Sequence, residues 1–220
     1  MKKNLTTELI ITEAQNFAKR ESKINHVDLL GITDGKAVGT YIEHRFKSHL
    51  STLYHVNIGN SARGIDLPDE NINTDIKVTS YKQPQSSCPF KSPSQKIFGL
   101  GYNLLVFIYK KEDKRDFCKL DFINCTFISK ERTADYTTTK RIIEMLKDDA
   151  NKADLVGYFV DKNIPGDEIV YDQLADTLLQ RKPVQGYLTI SNALQWRLQY
   201  TRVMALKNTI DGVVNYDSQE

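Results

Sequence analysis

Residues 104–109, Leu-Leu-Val-Phe-Ile-Tyr, form an unbroken apolar run, set off by Gly99 and Gly101 before it and by the charged residues 110–116 after it. A strand of that kind has no polar face to offer water, so it belongs inside a sheet covered on both sides. Amphipathic helices are available as cover. Residues 5–20 place Leu5, Leu9, Ile10, Ala14 and Phe17 at helical spacing. After the Asp34-Gly35-Lys36 turn, Val38, Tyr41, Ile42, Phe46, His49, Leu50 and Leu53 line one face of a second helix. Residues 117–129 read as a further strand returning from the solvated tip. Residues 138–149, 152–161, 171–181 and 191–206 read as helices, broken at Ile164-Pro165-Gly166 and at Lys182-Pro183. The pattern predicts an α/β (α+β) fold: a mixed central sheet flanked by helices over residues 1–135, with a helical C-terminal third, 136–220, packed against it.

Composition narrows the function classes. Hydrophobic residues at 40% and charged residues at 26% exclude a disordered or low-complexity chain. Thirty Lys and Arg against 28 Asp and Glu leave a net charge of +2, so contact with a polyanion must come from a local groove, not bulk charge. The three cysteines include no CxxC pair and the four histidines no HxxxH pair, which removes support for a disulfide framework or a zinc site. Neither the dinucleotide-binding GxGxxG nor a P-loop occurs. The apolar run at the start is too short for a signal peptide or a membrane span, so a soluble protein of a reducing cytoplasm is expected.

The chemistry concentrates between the second helix and the buried strand. In residues 63–80, Ile65, Leu67, Ile72, Ile76 and Val78 alternate with polar residues about an Asp69-Glu70-Asn71 turn. A turn centred between Glu70 and Asn71 sets Asp66 opposite Asp75, with Cβ atoms about 5 Å apart. Lys77 lies two residues on and projects from the same face as Asp75. Like charges so placed repel, whereas a hard divalent cation with oxygen ligands at about 2.1 Å holds them together. Residues 80–93, rich in Ser, Gln and Pro, read as a long loop, and residues 94–100 as a short helix.

An acid two residues before a Lys also occurs at Glu21, Asp34 and Glu112, but only Asp75-Ile76-Lys77 lies on an alternating strand a hairpin's distance after another acid. In that setting the chain resembles the PD-(D/E)xK nuclease superfamily and, within it, the type II restriction endonucleases. Residues 36–110 follow that family's order, and DIKVTSYKQPQSSCPF and QKIFGLGYNLLVFIY carry the likeness. The resemblance implies Mg²⁺-dependent, site-specific hydrolysis of double-stranded DNA leaving a 5′ phosphate and a 3′ hydroxyl. It further implies a homodimer matched to palindromic sites and a cognate DNA methyltransferase as functional partner. Asp75 and Lys77 match the second half of the motif. The first half is Asp66 or Asp69; Asp69 is the literal Pro-Asp, but its strand parity and its place at the turn favour Asp66. Glu43 on the second helix matches the family's helix acid. Asp66, Asp75, the Ile76 carbonyl and Glu43 would hold the metal, and Lys77 would orient or help deprotonate the attacking water.

DNA contacts are expected from Tyr81, Lys82, Gln83, Gln85, Ser87 and Lys91 in the loop, and from Gln95 and Lys96 at the helix start. Asn192, Gln195, Arg197 and Arg202 are expected on the second of two C-terminal helices around a turn. Two other functions stay open: a non-catalytic sequence-specific DNA-binding protein, and a repair or junction nuclease of the same superfamily.

Overall fold

A computed structural model describes residues 2–59, 64–89, 91–191, 196–207 and 210–217. The chain opens with β1 (Lys3–Asn4), α1 (Thr7–Glu21), α2 (Gly35–Leu53) and β2 (Tyr54–His55). The middle holds β3 (Thr74–Ser80), β4 (Gln85–Cys88), α3 (Ser94–Phe98), β5 (Asn103–Asp113) and β6 (Cys118–Ile128). Helices α4 (Tyr136–Lys147), α5 (Lys152–Asp161) and α6 (Glu168–Gln180) follow. Then come β7 (Thr189–Ile190), β8 (Trp196–Gln199), α7 (Thr201–Met204) and β9 (Val213–Asp217). Among the described residues no helix is long and apolar enough to cross a membrane.

The central sheet is four-stranded in the order β3-β5-β6-β9, with β3 parallel to β5 and the other neighbours antiparallel. Its centre is the apolar run. Leu105, Phe107 and Tyr109 enter a core with Ile10, Phe17, Phe46 and Leu50 of α1 and α2. Phe107 meets Phe17, Phe46 and Phe122 edge-on, with centroids 5.7, 5.1 and 5.8 Å away. Leu104, Val106 and Ile108 enter a second core on the opposite face. A third core, around Ile142, Leu155, Phe159 and Leu178, joins α4–α6 to Ile97 of α3.

Local signals set the helix ends. Thr6, Asp34, Asp135 and Asp167 each accept a first-turn N–H, and Asn151 and Asp154 form a reciprocal capping box. Asp135 and Asp167 start α4 and α6 two and three residues earlier than apolar spacing alone predicts. Gly99 ends α3 with a φ of +90°, which L side chains rarely adopt.

The class is α+β, but the cover on the second face is a sheet where helix and loop were expected. Strands β4, β8 and β7 form a three-stranded antiparallel sheet. Within the expected 191–206 helix, residues 196–199 are strand, and α7 is the helix that follows. The reason is period: Trp196, Leu198 and Tyr200 are each 0% exposed, so the apolar positions alternate as in a strand. Within the expected long loop, Gln85–Cys88 is an edge strand, since Pro84 and Pro89 flank the pairing and do not interrupt it. The C-terminal third thus contributes strands as well as helices, and β9 pairs with β6.

Candidate active site

The site forms along the free edge of β3. In a strand the N–H and C=O of one residue point to the same edge, so Thr74, Ile76 and Val78 face away from β5. Leu67 and Thr74 exchange two backbone hydrogen bonds of 3.0 Å, which centres the turn between Glu70 and Asn71 and brings Asp66 level with Asp75. The Asp69 carbonyl closes that turn by accepting from Ile72 and Asn73 at 2.8 and 2.7 Å, and its Oδ2 accepts the Asn57 N–H at 3.1 Å. Asp69 therefore serves the turn. Asp66 Oδ2 accepts the Ile76 N–H at 2.8 Å, and the Ile76 carbonyl lies on the same edge. The segment before the turn, which meets β3 through the Leu67–Thr74 bridge and is not itself a strand, runs close enough that a Cβ on Gly59 would lie 2.0 Å from the Ile65 carbonyl oxygen, so only glycine fits.

Charges alternate across the site. Glu43 Oε1 and Asp66 Oδ1 both accept from Lys47 Nζ, at 2.6 and 2.5 Å, and Asp75 Oδ2 lies 2.7 Å from Lys77 Nζ. The Asp66 and Asp75 carboxyls are close enough to shift one another in opposite directions. Burial raises the Asp75 carboxyl, and the Asp66 charge adds to this against the pull of Lys77, leaving it at about 6. Burial also acts to raise Asp66, but Lys47, the neighbouring Asp75 carboxyl and the Ile76 N–H together hold it below the ordinary carboxylate value. Of the two, Asp75 is therefore the more readily protonated. Burial acts to lower both lysines, yet their carboxylate partners hold both above the usual value, so both are ammonium ions. A cleft of about 500 Å³ lined by Glu43, Lys47, Ser48, Ile58, Gly59 and Asp66 opens the site to solvent.

Among the described residues no three His, Cys, Asp or Glu side chains form a ready-made metal cluster. The donors that do converge are two carboxylates and the edge carbonyl of Ile76, all hard oxygens. That set fits a small divalent cation that keeps several of its own waters. Glu43 reaches the site through Lys47.

Lys47 was not expected. The only trace of it in the sequence is its place four residues after Glu43 on the polar side of α2. Of the expected DNA-contacting residues, Tyr81, Lys82, Gln83, Lys91 and Arg197 are exposed, and Gln85 and Ser87 are half-buried on β4. Arg202 is exposed and lies 3.8 Å over the Tyr136 ring. Gln95 and Lys96 correct the expectation of phosphate contacts, because the short helix α3 is buried and turns both inward. Gln95 Oε1 accepts the Lys91 N–H at 3.0 Å, and Lys96 Nζ donates to the Ile190 carbonyl at 2.8 Å. Asn192 and Gln195 lie outside the described residues.

An acid-bearing helix, a hairpin Asp and an edge-strand Asp-x-Lys on a mixed sheet make the core of a restriction-endonuclease-like nuclease. A family model described as "Type II restriction enzyme NspV" matches residues 4–215. The type II restriction enzyme NspV of Nostoc sp. strain PCC 7524 is 50% identical over 212 residues, covering 96% of each chain. The chain belongs to this family of type II restriction enzymes. No solved structure matches it.

Proposed function

We propose that this type II restriction endonuclease hydrolyses double-stranded DNA at a specific site with Mg²⁺, using Asp66, Asp75 and Lys77. The observation that carries this reading is the pairing register that sets Asp66 level with Asp75 while Lys77 bonds Asp75. Asp66, Asp75 and the Ile76 carbonyl would hold the cation, with Glu43 completing the set directly or through water. When bound, Mg²⁺ supplies Lewis-acid polarisation of the scissile phosphodiester. Lys77 directs its ammonium at the attacking water or at a phosphoryl oxygen, where it offsets developing charge. Water attacks phosphorus in line as it gives up a proton to solvent, the P–O3′ bond breaks, and the leaving O3′ takes a proton from solvent, leaving a 5′ phosphate and a 3′ hydroxyl. Asp66, ionised throughout, keeps the Ile76 amide and hence the edge of β3 in place.

Tyr81, Lys82, Gln83 and Lys91 lie near the site in the chain and supply DNA contacts; Arg202, held over an aromatic ring, is suited to a phosphate. A homodimer cutting both strands of a palindrome, a protecting DNA methyltransferase and a prokaryotic cytoplasm complete the reading. The test is digestion of plasmid and phage DNAs by the protein and by Asp75→Ala, in Mg²⁺ and in EDTA. Discrete fragments from the unaltered protein in Mg²⁺ alone are expected. Binding without cleavage of any DNA would leave a non-catalytic DNA-binding protein, and nicks confined to branched substrates would mean a repair nuclease.

A further inference from the structure

Two stretches far apart in the chain meet in the second sheet. Its inner face is apolar, with Cys88, Ile190, Trp196 and Leu198 packed against the Leu104, Val106 and Ile108 face of β5. Alternation puts the intervening residues on the outer face. The register arranges them in two rows. Gln199 lies between Gln85 and Thr189, and Arg197 lies opposite Ser87. On the other side of Arg197, the Ser191 N–H donates to its carbonyl at 3.2 Å and Ser191 Oγ accepts its N–H at 3.3 Å. Arg197 is exposed, the other five residues are partly so, and none of the six is acidic.

This face is tied to the catalytic strand. Thr79, two residues beyond Lys77, donates from Oγ1 to the Gln85 carbonyl at 3.0 Å and accepts the Gln85 N–H at 3.3 Å. The Tyr200 N–H, at the end of β8, donates to the Pro84 carbonyl at 2.9 Å. The edge holding the carboxylates and the polar face are therefore one connected unit.

We propose that this outer face reads base edges in the major groove of the DNA that the enzyme cuts, with Arg197 and Gln199 as specificity-determining residues. The proposal rests on the endonuclease reading. The major groove admits a β-ribbon, where a guanidinium pairs bidentately with guanine and a glutamine amide with adenine. Side chains two apart on a strand are about 6.8 Å apart, close to two base-pair steps of about 3.4 Å. Arg197 and Gln199 thus match the spacing of alternate base pairs, while Gln85, Ser87 and Thr189 present amide and hydroxyl groups to the positions beside them.

The experiment incubates a duplex library with a randomised central segment with the protein, Arg197→Ala and Gln199→Ala, and sequences what is retained at two salt concentrations. Thermal melting confirms that each variant folds. The unaltered protein is expected to enrich one sequence. Arg197→Ala is expected to lose preference at a G·C position and Gln199→Ala at an A·T position, each by roughly 10- to 100-fold, with the salt dependence unchanged. Full retention of the enriched sequence by both variants would overturn the proposal. So would a uniform loss of affinity with a salt slope shallower by about one phosphate contact, since Arg197 would then be a backbone cation. If the unaltered protein enriches nothing, the endonuclease reading itself falls.

Discussion

Asp75 gives the metal-free protein an unusual dependence of stability on pH. Its carboxyl sits at about 6 in the folded protein because it is buried and lies beside Asp66, against about 3.9 for an aspartate in an unfolded chain. Below about pH 4 it is protonated in both states and contributes nothing to the pH dependence. Between about 4 and 6 the unfolded chain releases its proton first, so the folded state binds more protons and stability falls as pH rises. Above about 6 the folded protein carries a charge that burial disfavours, and the gap between the folded and unfolded values is worth about 3 kcal/mol. Asp66 has the opposite sign: held low, it contributes stability above the unfolded value that is lost only as pH falls below about 4. Asp75→Asn keeps the shape and removes the titration. The assay is urea unfolding in EDTA from pH 4 to 8. The stability of the unaltered protein relative to Asp75→Asn should drop by about 3 kcal/mol between pH 4 and 7, or about 1 M in midpoint for an m-value of about 2–3 kcal/mol/M. A difference that stays flat, or that grows with pH, would refute the reasoning.

Lys47 occupies oxygens that a cation would need, so Lys47→Ala should raise Mg²⁺ affinity at neutral pH by about tenfold, the value of one charge-assisted hydrogen bond; calorimetric titration reads this, and unchanged or weaker binding counts against it. Gly59→Ala should destabilise the protein by roughly 1–3 kcal/mol and weaken Mg²⁺ binding as the segment carrying Asp66 is pushed aside. An unaltered urea midpoint would contradict the close approach.

The hairpin was legible because its information is local. Apolar alternation on both arms and an Asp-Glu-Asn turn leave one register that buries Leu67 and Ile76, and that register fixes where Asp66, Asp75 and Lys77 lie. Lys47 was not legible, because helical periodicity places it on a polar face without saying what stands opposite. The second sheet was hidden for a related reason. Gln85–Cys88 has poor strand propensity, and only packing of Cys88 and pairing with β8 make it a strand. Its partner stood in a window free of Gly and Pro, where Trp196, Leu198 and Tyr200 gave a period-2 signal that a helical reading overrode. Lys96 turns inward for a carbonyl on β7, a partner that no sequence spacing reveals.

The arrangement of β8 and β9 has a consequence for how the molecule comes into being. During synthesis, α1, α2, β3, β5 and β6 can assemble early, but Leu104, Val106 and Ile108 stay bare until residues 196–199 emerge, and β6 keeps an unpaired edge until residues 213–217 follow. Closing such distant pairs is slow, and the nascent chain meanwhile carries an adhesive surface that invites chaperones or aggregation. The strand that completes the cover over the catalytic sheet is made long after the acids and the lysine, so an early fragment holds those residues without the packing that fixes them.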